Sequence, residues 1–153
     1  MASVFVEEKL TKSKPSSEKT FMQIFVGDGQ PFRTNANFFC FCASLGISKQ
    51  NFIPTKDKAN EVRDQVFSNY GLEGVIFSIA IAHLKDVQVL NDNDKCYEIF
   101  EGYVNGGLDI IKKESKQYDD EELAYKLLNM TNLRSIENKP FEDVVSTEPL
   151  DPE

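Results

Sequence analysis

The strongest constraint on the fold lies between Cys96 and Val104, where Cys96, Ile99, Phe100, Tyr103 and Val104 recur at i, i+3, i+4, i+7 and i+8. That spacing puts all five on one stripe of a helix, because every third or fourth side chain returns to the same face. Glu98, Glu101 and Asn105 fall off the stripe. Such a helix draws its stability from elements that cover the stripe, so the chain must supply others of matching pattern. Phe38, Phe41, Cys42 and Leu45 follow the same rule. Thr34 or Asn35 can cap the start of that helix, and Gly46 fits the position just past its end.

The remaining segments extend this reading. Phe21, Ile24 and Phe25 predict a helix that begins at a Ser17 cap and is stopped by Gly27-Asp28-Gly29-Gln30-Pro31. From Leu72 to Leu84 nearly every residue is apolar, which predicts a helix buried on several sides at the centre of the fold. Gly106-Gly107 is expected to interrupt the helix that starts near Cys96. Leu108, Ile111 and the Asp109–Lys113 pair carry the pattern on to about Lys116. Asp119-Asp120-Glu121-Glu122 opens a last helix bearing Leu123, Leu127, Leu128 and Met130, its acids complementing the positive end of the helix dipole. Residues 47–60 read as a loop, and Val62–Phe67 suits either a helical turn or a short extended piece. Val87–Leu90 suits a short extended stretch, and Asn91–Asp94 a turn or cap run. The expected architecture is mainly α: a compact single domain of about five to six helices over residues 17–136, with short extended segments. A flexible arm over 1–16 and an acidic tail over 137–153, expected to be disordered, flank it.

Composition narrows the function. A chain of 153 residues with 41% hydrophobic residues can bury one core without disulfides or metals. No apolar run reaches the roughly 18 residues that span a bilayer. The N-terminal segment has no basic start or long apolar stretch of the kind that directs secretion, so a cytoplasmic location is expected. The net charge of −8 is uneven: residues 1–60 hold eight basic and five acidic groups, whereas residues 91–125 hold ten acids and four lysines. Duplex DNA is a dense polyanion and repels such a surface. The acidic face either keeps the protein solvated, or docks onto a basic protein partner or competes with nucleic acid. Lys9, Lys12, Lys14, Lys19 and Arg33 form the one basic cluster, and they support an alternative reading as a nucleic-acid-binding regulator.

Neither catalytic residues nor a cofactor or metal site is expected. His83 is the single imidazole and lies in the most apolar helix, where a core or half-buried role outweighs acid–base work. Cys40, Cys42 and Cys96 form no CxxC pair and read as buried apolar side chains in a reducing compartment. Gly27-Asp28-Gly29 and Gly71-Leu72-Glu73-Gly74 lack the Lys-Ser/Thr of a phosphate loop. Asn91-Asp92-Asn93-Asp94 lacks the mid-loop Gly of a calcium loop, because Cys96 stands there. Phe38, Phe39 and Phe41 are without the basic groove that accompanies base stacking, so they belong to the core.

The run Cys96-Tyr97-Glu98-Ile99-Phe100-Glu101-Gly102-Tyr103-Val104-Asn105-Gly106-Gly107-Leu108-Asp109-Ile110-Ile111 resembles the signature of a small protein family associated with Dnd (DNA phosphorothioation) systems. Pro31-Phe32-Arg33-Thr34 and the Phe-rich helix to Leu45-Gly46 are similar to a second motif of that family, so the likeness covers about residues 17–116. The chain departs from the family pattern at Ile47–Asn51, where a basic stretch is usual, and at Arg63-Asp64-Gln65, where Arg-Trp-Glu is expected. Dnd systems replace a non-bridging DNA phosphate oxygen with sulfur and restrict unmodified DNA, a form of bacterial anti-phage defence. The resemblance implies a non-enzymatic accessory or regulatory protein that binds a larger component of such a modification or restriction complex. Phe100, Glu101, Tyr103, Asn105, Gly106 and Gly107 then stand out as a motif, either a structural hinge at Gly106-Gly107 or a corner that docks on the partner.

Overall fold

The computed structural model describes residues 3–6, 24–56, 60–119, 122, 123, 125 and 126. Among them the elements run β1 (Ser3–Val6), α1 (Asn35–Ser48), β2 (Asn60–Arg63), α2 (Asp64–Asn69), α3 (Glu73–Leu84), a 3-10 turn (Val87–Asn91) and α4 (Asn93–Ser115). The chain is mainly α, as expected. Ser17, Leu127, Leu128, Met130 and the acidic tail lie outside the described residues.

The two termini of α1 show how the local sequence sets a helix. Thr34 is the N-cap, its hydroxyl accepting from the Asn37 N–H at 3.2 Å. Gly46 does not end the helix as expected. The chain runs on to Ser48 and closes in a Schellman arrangement: Gln50 N–H donates to Ile47 O at 3.1 Å and Asn51 N–H to Gly46 O at 2.9 Å. Gln50 holds the left-handed position at φ 53°. A side chain there costs about 1 kcal/mol relative to glycine, so Gln50→Gly is expected to stabilise the domain by about 0.5–1 kcal/mol in urea denaturation.

The centre of the fold is α4, not the apolar helix 72–84. Every residue of α4 from Ile99 to Leu108 is buried. Asp92 caps it through Lys95 N–H at 3.0 Å, in keeping with the cap role read for Asn91–Asp94. The helix passes through Gly106-Gly107 without a break, which corrects the expected interruption. In α3 only Ile76, Ile79 and Ala80 are fully buried. Its apolar composition exceeds what neighbours cover: α4, the 3-10 turn, α1 and α2 pack against it, yet Val75, Phe77 and Ile81 stay half-buried and Ala82 and Leu84 exposed.

α1 lies against α4 along the largest interface among the described elements. Phe38 and Phe39 are wholly buried, and Phe38 rests 5.6 Å from Phe25 and 5.3 Å from Phe32 between ring centroids. The aromatic run is therefore core, as its lack of basic neighbours predicted.

Two expected segments differ. Residues 3–6 of the arm form a strand, antiparallel to β2 with Ser3 opposite Arg63 and Val6 opposite Asn60. Val4, Phe5 and Val6 favour extended backbone, and that preference outweighs the polar stretch that follows. Val87–Leu90, read as extended, is a 3-10 turn capped by Asp86, whose carboxylate accepts from Gln88 N–H at 2.9 Å. The ambiguous segment 62–67 contains both alternatives, β2 ending at Arg63 and α2 beginning at Asp64.

Candidate functional site

The motif residues of α4 meet the loop that follows α1, and glycines make that meeting possible. A Cβ added at Gly107 would overlap the Cys42 carbonyl, and one at Gly46 would overlap the Tyr103 carbonyl. Cys42 and Gly46 are one turn apart on α1, as are Tyr103 and Gly107 on α4. Each helix thus offers a glycine to a backbone carbonyl of the other, and the two backbones come into direct contact. Gly106 makes the same allowance for the carbonyl of Asn51, and Gly102 for the ring of Phe52. Gly106-Gly107 is neither a break nor an exposed corner. It is a pair of notches in a continuous helix.

Residues 51–55 are pinned along the notched face. The Asn51 side-chain amide donates to Gly106 O at 2.9 Å and to Asp109 Oδ2 at 3.2 Å. Ile53 N–H donates to Gly102 O at 2.9 Å. Asn105 donates from Nδ2 to Ile53 O at 3.2 Å and to Thr55 Oγ1 at 2.8 Å. Asn105 Oδ1 is buried without a protein partner. This strap explains why Asn105, placed off the apolar stripe by its spacing, is buried: the loop supplies a second covered face. Glu101 is also buried, at 8% exposure.

His83 sits at the edge of the strap and is exposed, where a core or half-buried place was expected. Its Nδ1 is 2.7 Å from the Tyr103 hydroxyl, and its ring stacks on Phe52 at 5.1 Å. Phe52 in turn meets Tyr103 edge-on at 5.1 Å. Burial raises the Tyr103 hydroxyl above its ordinary pKa. The three rings close the outer end of the strap, and the sequence reading missed Asn51, Phe52 and Thr55 as members of this group. Gly102, four residues before Gly106, was the available signal, since glycines one turn apart mark a face open to close approach.

Of the six motif residues, Phe100 faces the other way, wholly buried and edge-on to Phe67 at 5.6 Å. Tyr103, Asn105, Gly106 and Gly107 come together at the strap and at α1. The acidic end of the site is Asp109. Burial pushes its carboxyl up, but hydrogen bonds from Lys113 and Asn51, together with the Lys113 and Lys112 charges, outweigh that and hold it below its ordinary value. A carboxyl held low in the fold stabilises it above the unfolded value, and this contribution is lost as pH falls through the folded one. The stability gap between the native chain and Asp109→Asn should therefore be full at neutral pH and shrink below about pH 4, as measured by urea titrations at a series of pH values.

The thiols are set for packing. Burial pushes Cys40 up to about 12, and burial with the neighbouring Cys40 pushes Cys42 well above its ordinary value. Neither is a thiolate at neutral pH. Among the described residues no group of His, Cys, Asp and Glu has the arrangement to hold a metal ion, and no helix is long and apolar enough to cross a membrane.

A family model described as DNA sulphur modification system-associated protein 4 matches residues 14–146. The chain belongs to this family. The match reaches beyond both motifs of the sequence reading, taking in α1, the strap, α3 and α4 together. As a DNA sulphur modification system-associated protein, the chain keeps its most distinctive residues, Asn105-Gly106-Gly107, for the seam between two helices and a loop. No curated protein and no solved structure matches it.

Proposed function

We propose that this protein is a non-enzymatic accessory or regulatory component of a DNA phosphorothioation-linked modification and restriction system, acting by binding a larger protein of that system. The family match over residues 14–146 carries the association. The protein-binding role is supported by where the motif lies. Tyr103, Asn105, Gly106 and Gly107 are used in holding the domain together, so the surface is left as the working part. That surface is acidic between residues 91 and 125, with Asp92, Asp94 and Glu98 all exposed, which suits a basic protein and not a nucleic acid.

Affinity purification of the tagged full-length chain from its host tests the reading. Recovery of a component of the sulphur-modification or restriction machinery is the expected result. Recovery of none would overturn it. Direct nucleic-acid binding through Lys9, Lys12, Lys14, Lys19 and Arg33 is the competing outcome. Arg33 is exposed, and the four lysines lie outside the described residues.

A further inference from the structure

The surface between α3 and α4 carries an apolar corner that folding leaves uncovered. Leu84 at the end of α3 is 45% exposed, Val87 60% and Leu90 47%. An isolated exposed Leu needs no explanation, but these three fall within seven residues. Val87 and Leu90 are three apart in a 3-10 turn, whose side chains eclipse at that spacing and so share one face. The turn's other side is fixed to the domain. Val89 is buried, its carbonyl accepts from Cys96 Sγ at 3.3 Å and from Asp92 N–H at 2.9 Å, and Gln88 is tied to Asn91 at 3.0 Å. Lys85 enters the turn in the left-handed conformation at φ 53°. The apolar side chains therefore project from an anchored backbone, the preorganised state that lowers the ordering cost of binding.

The rim of the corner says what covers it. Asp86, Asp92, Asp94 and Glu98, all exposed, flank it along the chain. Of the two cations in the same stretch, Lys95 is held by Glu98 at 3.0 Å, which leaves Lys85 against Asp86, Asp92 and Asp94, none of which forms an ion pair among the described residues. A second copy of the chain would bring the same acids and a net charge of −8, and the segment 137–153 would bring six acids and one lysine. Both are repelled. We infer that Leu84, Val87 and Leu90 are the apolar centre of a docking surface whose partner is a basic protein surface with an apolar recess, of the kind carried by proteins that handle DNA. This inference rests on the accessory role proposed above and names the place where that role is exercised.

The test compares the full-length chain with Val87→Ser/Leu90→Ser, with Val87→Lys as a second variant and Tyr70→Ser as an exposed-aromatic control. Each is used to capture the identified system component. Because the substituted side chains are exposed, melting by circular dichroism should be unchanged. Capture should fall at least about tenfold for Val87→Ser/Leu90→Ser and for Val87→Lys, and be retained by Tyr70→Ser. It should weaken for the native chain as salt rises toward about 1 M. Undiminished capture by the folded variants would overturn the docking corner while leaving the accessory role standing. Failure of the native chain to capture any component would overturn both. A concentration-dependent native dimer that Val87→Ser/Leu90→Ser abolishes would assign the corner to a second copy and overturn the inference.

Discussion

Gly107→Ala is expected to destabilise the domain by several kcal/mol, enough to leave a large unfolded fraction at room temperature. Helix propensity alone predicts the opposite sign, since alanine gains up to about 1 kcal/mol over glycine in a helix interior. Geometry reverses it. The added methyl would occupy the space of the Cys42 carbonyl, and a backbone atom of a buried helix cannot rotate aside as a side chain can. Relief requires α1 to move off α4, which opens the interface holding Phe38, Phe39, Cys42 and Leu45. Overpacking a close-fitted core typically costs about 1–3 kcal/mol, and displacing two helix backbones lies at or beyond the top of that range. Gly74→Ala supplies the internal contrast. Nothing lies within 4 Å of a Cβ built there, so the propensity gain stands unopposed and a stabilisation of about 0.5 kcal/mol is expected. Equilibrium urea unfolding of the two variants, with opposite signs, checks the account. A neutral Gly107→Ala would show that the helices are not in backbone contact.

Phe100→Ala should rank beside it, with a loss of about 3–5 kcal/mol. Phe100 is 0% exposed and packs edge-on against Phe67 on α2, with ring centroids 5.6 Å apart at 85°. Removing the ring takes away its transfer free energy and leaves a cavity between two elements, neither of which is free to collapse inward. With a total stability for a domain of this size of about 5–15 kcal/mol, the variant sits near the edge of folding. Phe41→Ala, on the partly exposed side of α1, should cost markedly less. A ratio near one between the two losses would contradict the placement of Phe100 at the core.

Much of the helical pattern was legible because burial on one face writes itself into spacing. Cys96 to Val104, and Phe38 to Leu45, mark helices at the positions observed, and Thr34 and Asp92 cap them as their chemistry suggests. What spacing could not reveal is coverage from a second side. Asn105 reads as outward by its register, yet a loop 50 or more residues earlier folds over it, and only three-dimensional contact shows that. Glycine carried the same ambiguity. Gly46, Gly106 and Gly107 suggest helix ends when seen alone, and the structure uses them as notches where backbones touch. α1 ends at Ser48 and turns off at Gln50, whose side chain gives no sign of a left-handed turn. Composition also misled for residues 72–84, since an apolar helix need not be a surrounded one. Leu84, exposed at its end, shows where part of that excess of apolar surface goes.

Capture of the partner with and without nuclease tests the central claim most directly. The tagged full-length chain is purified from its host at moderate salt, and the recovered proteins are identified before and after the extract is digested with a nonspecific nuclease. An accessory protein that acts by protein–protein contact predicts that a modification or restriction component remains bound after digestion and is released only as salt is raised. Disappearance of that component on nuclease treatment would contradict the account, because it would place nucleic acid between the two proteins.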